Sequence, residues 1–161
     1  MSATHQWSES NGAEVITDGI TNINFGSNDA PNLVTATFPI IAWLNSYSKY
    51  IRCKFTGIWT DITNMKFWKS AGAYKTDETI KAAANISFAA PSQTSTGDSN
   101  VPTVEGSALA IDSFEGLNHI EYGASGVSGY TDYIRLQLQT TTNTPTGAVY
   151  QKTFTFQYDE V

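Results

Sequence analysis

The sequence predicts an all-β protein: an antiparallel, immunoglobulin-like β-sandwich with an extended N-terminal arm and a long loop near residues 89–106. Three observations predict it. Two-residue alternation of apolar and polar side chains recurs along the chain, most clearly in TDYIRLQLQ (131–139) and VYQKTFTFQY (149–158). Clusters of Gly, Pro, Asn and Asp separate these stretches at short intervals, as the turns of a sandwich do. Charged residues are only 15% of the chain, and Thr, Ser, Asn and Gly take their place, which favours strands and turns over helices. With 161 residues and 40% hydrophobic side chains, one substantial core can be buried.

Residues 1–34 read as the arm. Turn signals at Asn11-Gly12, Asp18-Gly19 and Pro31-Asn32 punctuate it, and ITNINF (20–25) alternates only loosely. The sandwich then occupies 35–161. TATFPII (35–41) is β-prone, but Pro39 cannot donate to a ladder and places it at an edge or bulge. YIRCKFTGIW (50–59) is a clear strand, with Ile51, Cys53 and Phe55 on one face and Tyr50, Arg52 and Lys54 on the other. Trp59 to Thr63 reads as a turn, and NMKFWKS (64–70) as the next strand. In ETIKAAANISFAA (78–90) three alanines favour helix by propensity, yet Ile80, Ala82, Ala84, Ile86 and Phe88 alternate, which favours a strand. SALAI (107–111) is a short strand candidate, and 117–129 closes in a Gly/Ser hinge. TTTNTPTGA (140–148) reads as a hairpin loop between the last two strands.

The net charge of −6 and the pI of 4.7 argue against nucleic acid as a partner. The cations Lys49, Arg52, Lys54, Lys66 and Lys69 read as strand faces turned to water. The single cysteine forbids an intrachain disulfide, and Cys53 alternates with Ile51 and Phe55 as a small buried hydrophobe. MSATHQWSESNGAEV lacks the basic start and apolar core of a signal peptide, and no apolar run has the length of a membrane span. Synthesis in a cytoplasm and no membrane partner are therefore expected.

Catalytic chemistry finds little support. His5 and His119 are the only histidines, and there is no CxxC, HExxH, phosphate-binding glycine loop or GxSxG elbow. Asp29 and Asp98 read as turn formers. Glu105, Asp112, Glu115 and Glu121 could in principle supply a glycosidase pair but read as solvated loop charges. No catalytic, metal-binding or cofactor-binding residue is assigned, and no cofactor. Tyr50 and Trp68 fall on the polar phase of their strands, which makes them candidates for stacking on a glycan.

SATHQWSESNGAEVITDGITNINFGSNDAPNL, KYIRCKFTGIWTDITNMKFWKSAG and GYTDYIRLQLQTTTNTPTGAVYQKTFTFQYDEV together resemble accessory structural proteins of tailed bacteriophages. These are small β-sandwich proteins made in the host cytoplasm and added to the virion. The resemblance implies a non-enzymatic structural protein whose partners are capsid or other virion proteins, with self-association. Head decoration is the first expectation, and a host-attachment or carbohydrate-binding module of a fibre or tail is the alternative. In that setting Trp7, Ile20, Ile23 and Phe25 are expected to anchor the arm on a neighbour. Pro91, Val101 and Pro102 of the long loop are expected to make a second contact.

Overall fold

Strict alternation makes residues 133–139 the centre of the molecule. The computed structural model describes residues 3–121 and 129–161. Its strands are β1 (Thr4–Asn11), β2 (Val15–Asp18), β3 (Lys49–Thr56), β4 (Asp61–Ala71), β5 (Thr79–Ile86), β6 (Ser99–Asn100), β7 (Leu109–Ala110), β8 (His119–Glu121), β9 (Tyr133–Gln139) and β10 (Thr153–Glu160). One six-stranded sheet has the order β2-β1-β3-β9-β5-β6. A second sheet has the order β10-β4-β7, with β8 also paired to β4. Every pairing is antiparallel.

The core lies between the two sheets. Ile51, Cys53 and Phe55 of β3, Ile80 and Ala82 of β5, and Ile134, Leu136 and Leu138 of β9 form one wall. Ile62, Met65 and Phe67 of β4 form the other, joined by the half-buried Phe154, Phe156 and Tyr158 of β10. Each fully buried Ile or Leu contributes about 1.5–3 kcal/mol relative to exposure. Cys53 is fully buried, and burial pushes its thiol well above the ordinary range. Met65 and Ile62 share a face although three residues apart, because a bulge at Asn64, with φ 52°, resets the alternation.

Four expectations are corrected. Residues 4–18 are no arm: β1 pairs with β3 over seven positions from Thr4↔Thr56 to Ser10↔Tyr50, and β2 folds back on it. Its polar residues misled the pattern, since Ser8 and Ser10 are buried by hydrogen bonds to Asp18 and to the Tyr133 hydroxyl at 2.6 and 2.8 Å. Residues 35–41 form turns and irregular chain, where Pro39 removes a ladder donor. The turn expected at 59–63 ends early, and β4 starts at Asp61. The last two strands are no hairpin, because β9 belongs to the large sheet and β10 to the small one. The linker 140–152 crosses from one layer to the other. The Gly/Ser hinge lies mostly outside the described residues.

The outer face of the six-stranded sheet is covered at its centre, where Tyr50, Arg52, Tyr133 and Gln137 are buried. Residues 87–98 cross it as a strap before β6 joins the edge of β5. Phe88 packs on Tyr50 and Tyr133 with ring centroids 5.0 and 5.8 Å apart. Ser92 accepts from the Ser48 amide at 2.9 Å, and Gln137 Nε2 donates to the carbonyls of Ser46 and Thr94 at 3.1 and 2.9 Å. Arg135 Nε donates to Asp98 at 2.8 Å. Tyr50 is therefore 2% exposed, which removes it as a stacking platform. Arg52 and Lys49 are buried too, contrary to their expected exposure. The Arg52 guanidinium lies over the rings of Tyr130 and Tyr133 at 4.1 and 4.6 Å. Lys49 is paired with the buried Glu9 at 2.7 Å.

Candidate functional site: an apolar cleft at one end of the sandwich

Three segments without regular structure line one cleft: 20–25 after β2, 35–43 before β3, and 144–152 before β10. Between them lies a cleft of about 1140 Å³, slightly larger than the usual range of small-molecule sites. Trp7, Phe67, Leu138, Phe154 and Phe156 line it from the strands. Ile23, Phe25, Ile40 and Ile41 line it from the loops, with Trp43, Val149 and Tyr150 at its rim.

The wall is held by charges that are consumed inside it. Lys152 and Glu78 form an ion pair whose side chains are 4% and 1% exposed. The ammonium groups of Lys69 and Lys152 lie over the Tyr74 ring at 4.8 and 5.3 Å. Burial pushes the Tyr74 phenol above its ordinary range. Lys75 Nζ donates to the carbonyls of Pro145, Thr146 and Gly147 at 3.3, 3.2 and 2.9 Å, which ties the 144–152 wall to the turn before β5. Gly72, at φ 92°, lets the end of β4 approach this wall. A Cβ there would lie 2.7 Å from Lys152 Cα and closer still to the Gln151 carbonyl oxygen. The cleft thus presents hydrocarbon and neutral groups, with its cations and carboxylate already paired.

The rim is apolar and exposed. Trp43 is 62% exposed, Tyr150 55%, Ile41 53% and Val149 44%. Trp43 also has φ 67°, a left-handed conformation that costs a bulky residue about 1–3 kcal/mol. Backbone strain thus coincides with an exposed aromatic at the mouth of an apolar cleft.

The residues expected to contact partners fall elsewhere or inside. Ile20 is buried in the core, and Trp7, Ile23 and Phe25 pack against it, so none reaches a neighbour as an arm would. Trp7 meets Phe67 and Phe156 edge-on at 5.9 and 5.3 Å. Val101 is buried, with its amide on the Ile80 carbonyl, and the Pro102 carbonyl accepts from the Lys69 amide. Pro91 is half-buried in the strap. Trp68 is half-buried opposite Thr155 on the small sheet. Lys69 is buried with its ammonium on the Gly72 carbonyl at 2.6 Å, whereas Lys66 faces Glu105 at 4.0 Å.

Asp29 accepts from the Gly12 amide at 2.8 Å and from Asn11, a turn-binding role. His119 Nδ1 lies 3.1 Å from Asp61, and Glu121 flanks the same ring at 3.9 Å. Among the described residues no group of three or more His, Cys, Asp or Glu side chains is arranged to hold a metal ion. Sequence reasoning missed the cleft rim. Its apolar residues lack any period and are set among Pro39, Pro145 and Gly147, so no pattern in the sequence marks them as one surface. Compared with known proteins, the chain matches no family model, no curated protein and no solved structure.

Proposed function

We propose that the protein is a non-enzymatic structural component of a tailed-phage virion, a head decoration or cement protein that seats its cleft rim on a neighbouring capsid subunit. The observation that carries this reading is Trp43, exposed and strained at the mouth of an apolar cleft. The occupant is an apolar, uncharged loop of the neighbour, because Glu78, Lys75 and Lys152 leave no free charge in the wall to pair with. Burial of Ile41, Trp43, Val149 and Tyr150 against that loop would stabilise the shell by mass action, with no chemistry needed. The sequence resemblance to accessory virion proteins supplies the setting.

Hydrogen exchange tests this on the free protein and on the same protein in purified virions. Protection of 34–44 and 144–151 in the particle is expected, together with loss of the Trp43→Ala variant from particles. Incorporation with both segments unprotected, or absence of the protein from virions, sinks the reading. A second reading, attachment to a host glycan, is favoured by two exposed aromatics, Trp43 and Tyr150, that line one cleft. Glycan-array binding that Trp43→Ala abolishes, without protection in the particle, would select it.

A further inference from the structure

The two sheets expose very different edges. β2 has four residues, β6 two and β7 two, and short edges resist unwanted pairing. β10 is the exception. It is eight residues long, ends the small sheet, and among the described strands pairs with β4 alone. Natural edges are usually blunted by a Lys, a Pro, a bulge or a covering loop. From Thr153 to Tyr158, β10 carries no charge and no proline. The irregularities in its pairing put the extra residue in β4: Phe154 faces Lys69 where Thr153 faces Ala71, and Gln157 faces Lys66 where Asp159 faces Thr63. No residue of β10 has a positive φ, so its own backbone stays regular. Its inward aromatics Phe154, Phe156 and Tyr158 are only half-buried. An edge that is regular, neutral from Thr153 to Tyr158, and lined by partly exposed aromatics is a template for another strand.

The sequence of β10 specifies which strand. Laid antiparallel against itself about Phe156, TFTFQYDE places Phe154 opposite Tyr158 of the second copy and Phe156 opposite its counterpart. On the other face Thr155 meets Gln157, and Thr153 meets Asp159. Aromatic pairs share one face, hydrogen-bonding pairs share the other, and no like charges stand opposite each other. This self-complementarity is what a two-fold interface requires. We infer that two copies of this chain associate through β10, joining their small sheets into one continuous antiparallel sheet. This surface goes beyond the contact at the cleft rim and does not depend on a virion. A dimer that forms in solution while the rim stays unprotected in particles separates the fates of the two readings.

Sedimentation velocity on the full chain at about 100 μM tests it, a concentration that populates any contact tighter than about 10⁻⁴ M. The expected wild-type species has twice the 17.5 kDa mass of the chain. T155K/Q157K places lysine opposite lysine in this register and should give a folded monomer, its melting temperature somewhat lowered because position 157 also stands opposite Lys66 within the chain. T155K/Q157E places lysine opposite glutamate and should restore the dimer. A monomeric wild type overturns the inference. So does a T155K/Q157K variant that remains dimeric, or a folded T155K/Q157E variant that is as monomeric as the lysine pair.

Discussion

The strap across the six-stranded sheet and the rim of the cleft are both irregular chain, yet one has become structure and the other surface. The strap, 87–98, is polar, and the sheet face beneath it offers Arg135, Gln137 and the Tyr50 and Tyr133 rings as partners. The carbonyls of Ser92, Gln93 and Thr94 and its one carboxylate, Asp98, are answered from below, so it lies flat. The rim segments, 34–44 and 144–151, are richer in apolar residues, but no strand of either sheet runs through them. Val34, Ile41, Trp43, Val149 and Tyr150 are left exposed. A buried polar group is tolerated when its hydrogen bonds are complete, and an apolar one stays exposed when no surface opposes it.

The largest break in this comparison is on the cleft side. Gly72→Ala puts a methyl group against the Gln151 carbonyl and 2.7 Å from Lys152 Cα, at a backbone angle alanine disfavours. Strain and overpacking together should cost about 4 kcal/mol. Urea denaturation measures the loss. Hydrogen exchange should show it concentrated in 144–153, with the strap unaffected. A loss below about 1 kcal/mol would mean that the wall yields, and that the cleft is not a rigid feature.

A smaller effect opens the strap alone. Burial opposes ionisation of Asp98, but hydrogen bonds from Arg135 and Thr96, with the charges of Arg135 and Lys81, outweigh it and hold the carboxyl below its ordinary range. The same contacts raise the Arg135 guanidinium further, so it stays charged throughout. A depressed carboxyl stabilises the fold fully above its unfolded value near 4, and that contribution is lost as pH falls through the folded value. Proteolysis within 92–100 should therefore accelerate below about pH 4. Arg135→Ala should open the strap at neutral pH, cost about 2 kcal/mol, and weaken this pH dependence. An unchanged cleavage rate in that variant would show that the Gln137 hydrogen bonds alone hold the strap.

Legibility followed the same division. Alternation located β3, β9 and β10 and the inward faces of all three, because an apolar face against a second layer imposes period two on the sequence. Arg52 and Tyr50 were misplaced for a physical reason. A strand covered on both sides keeps the same alternation, with its polar phase buried against a polar loop, and the pattern does not distinguish loop from water. β1 escaped because Ser8, Glu9 and Ser10 are buried through hydrogen bonds and an ion pair, which carry no hydrophobic signal. The cleft was illegible because its lining comes from three loops and two sheets far apart in sequence. Trp43 gave no warning either, since a left-handed backbone at tryptophan is a property of the fold and not of the local sequence.

That strain makes Trp43 the finest probe of the comparison. Glycine accepts a φ of 67° without steric cost, at the expense of more freedom in the unfolded chain. If the ring does no work within its own chain, Trp43→Gly relieves about 1–3 kcal/mol of strain and loses about 0.5–1 kcal/mol to unfolded-state entropy. The net expectation is a gain of about 0.5 kcal/mol in thermal or urea melts. A stability cost above 1 kcal/mol would instead show that the indole packs on its own cleft. The rim would then be a closed edge of the core, like the strap, and the difference between the two regions would disappear.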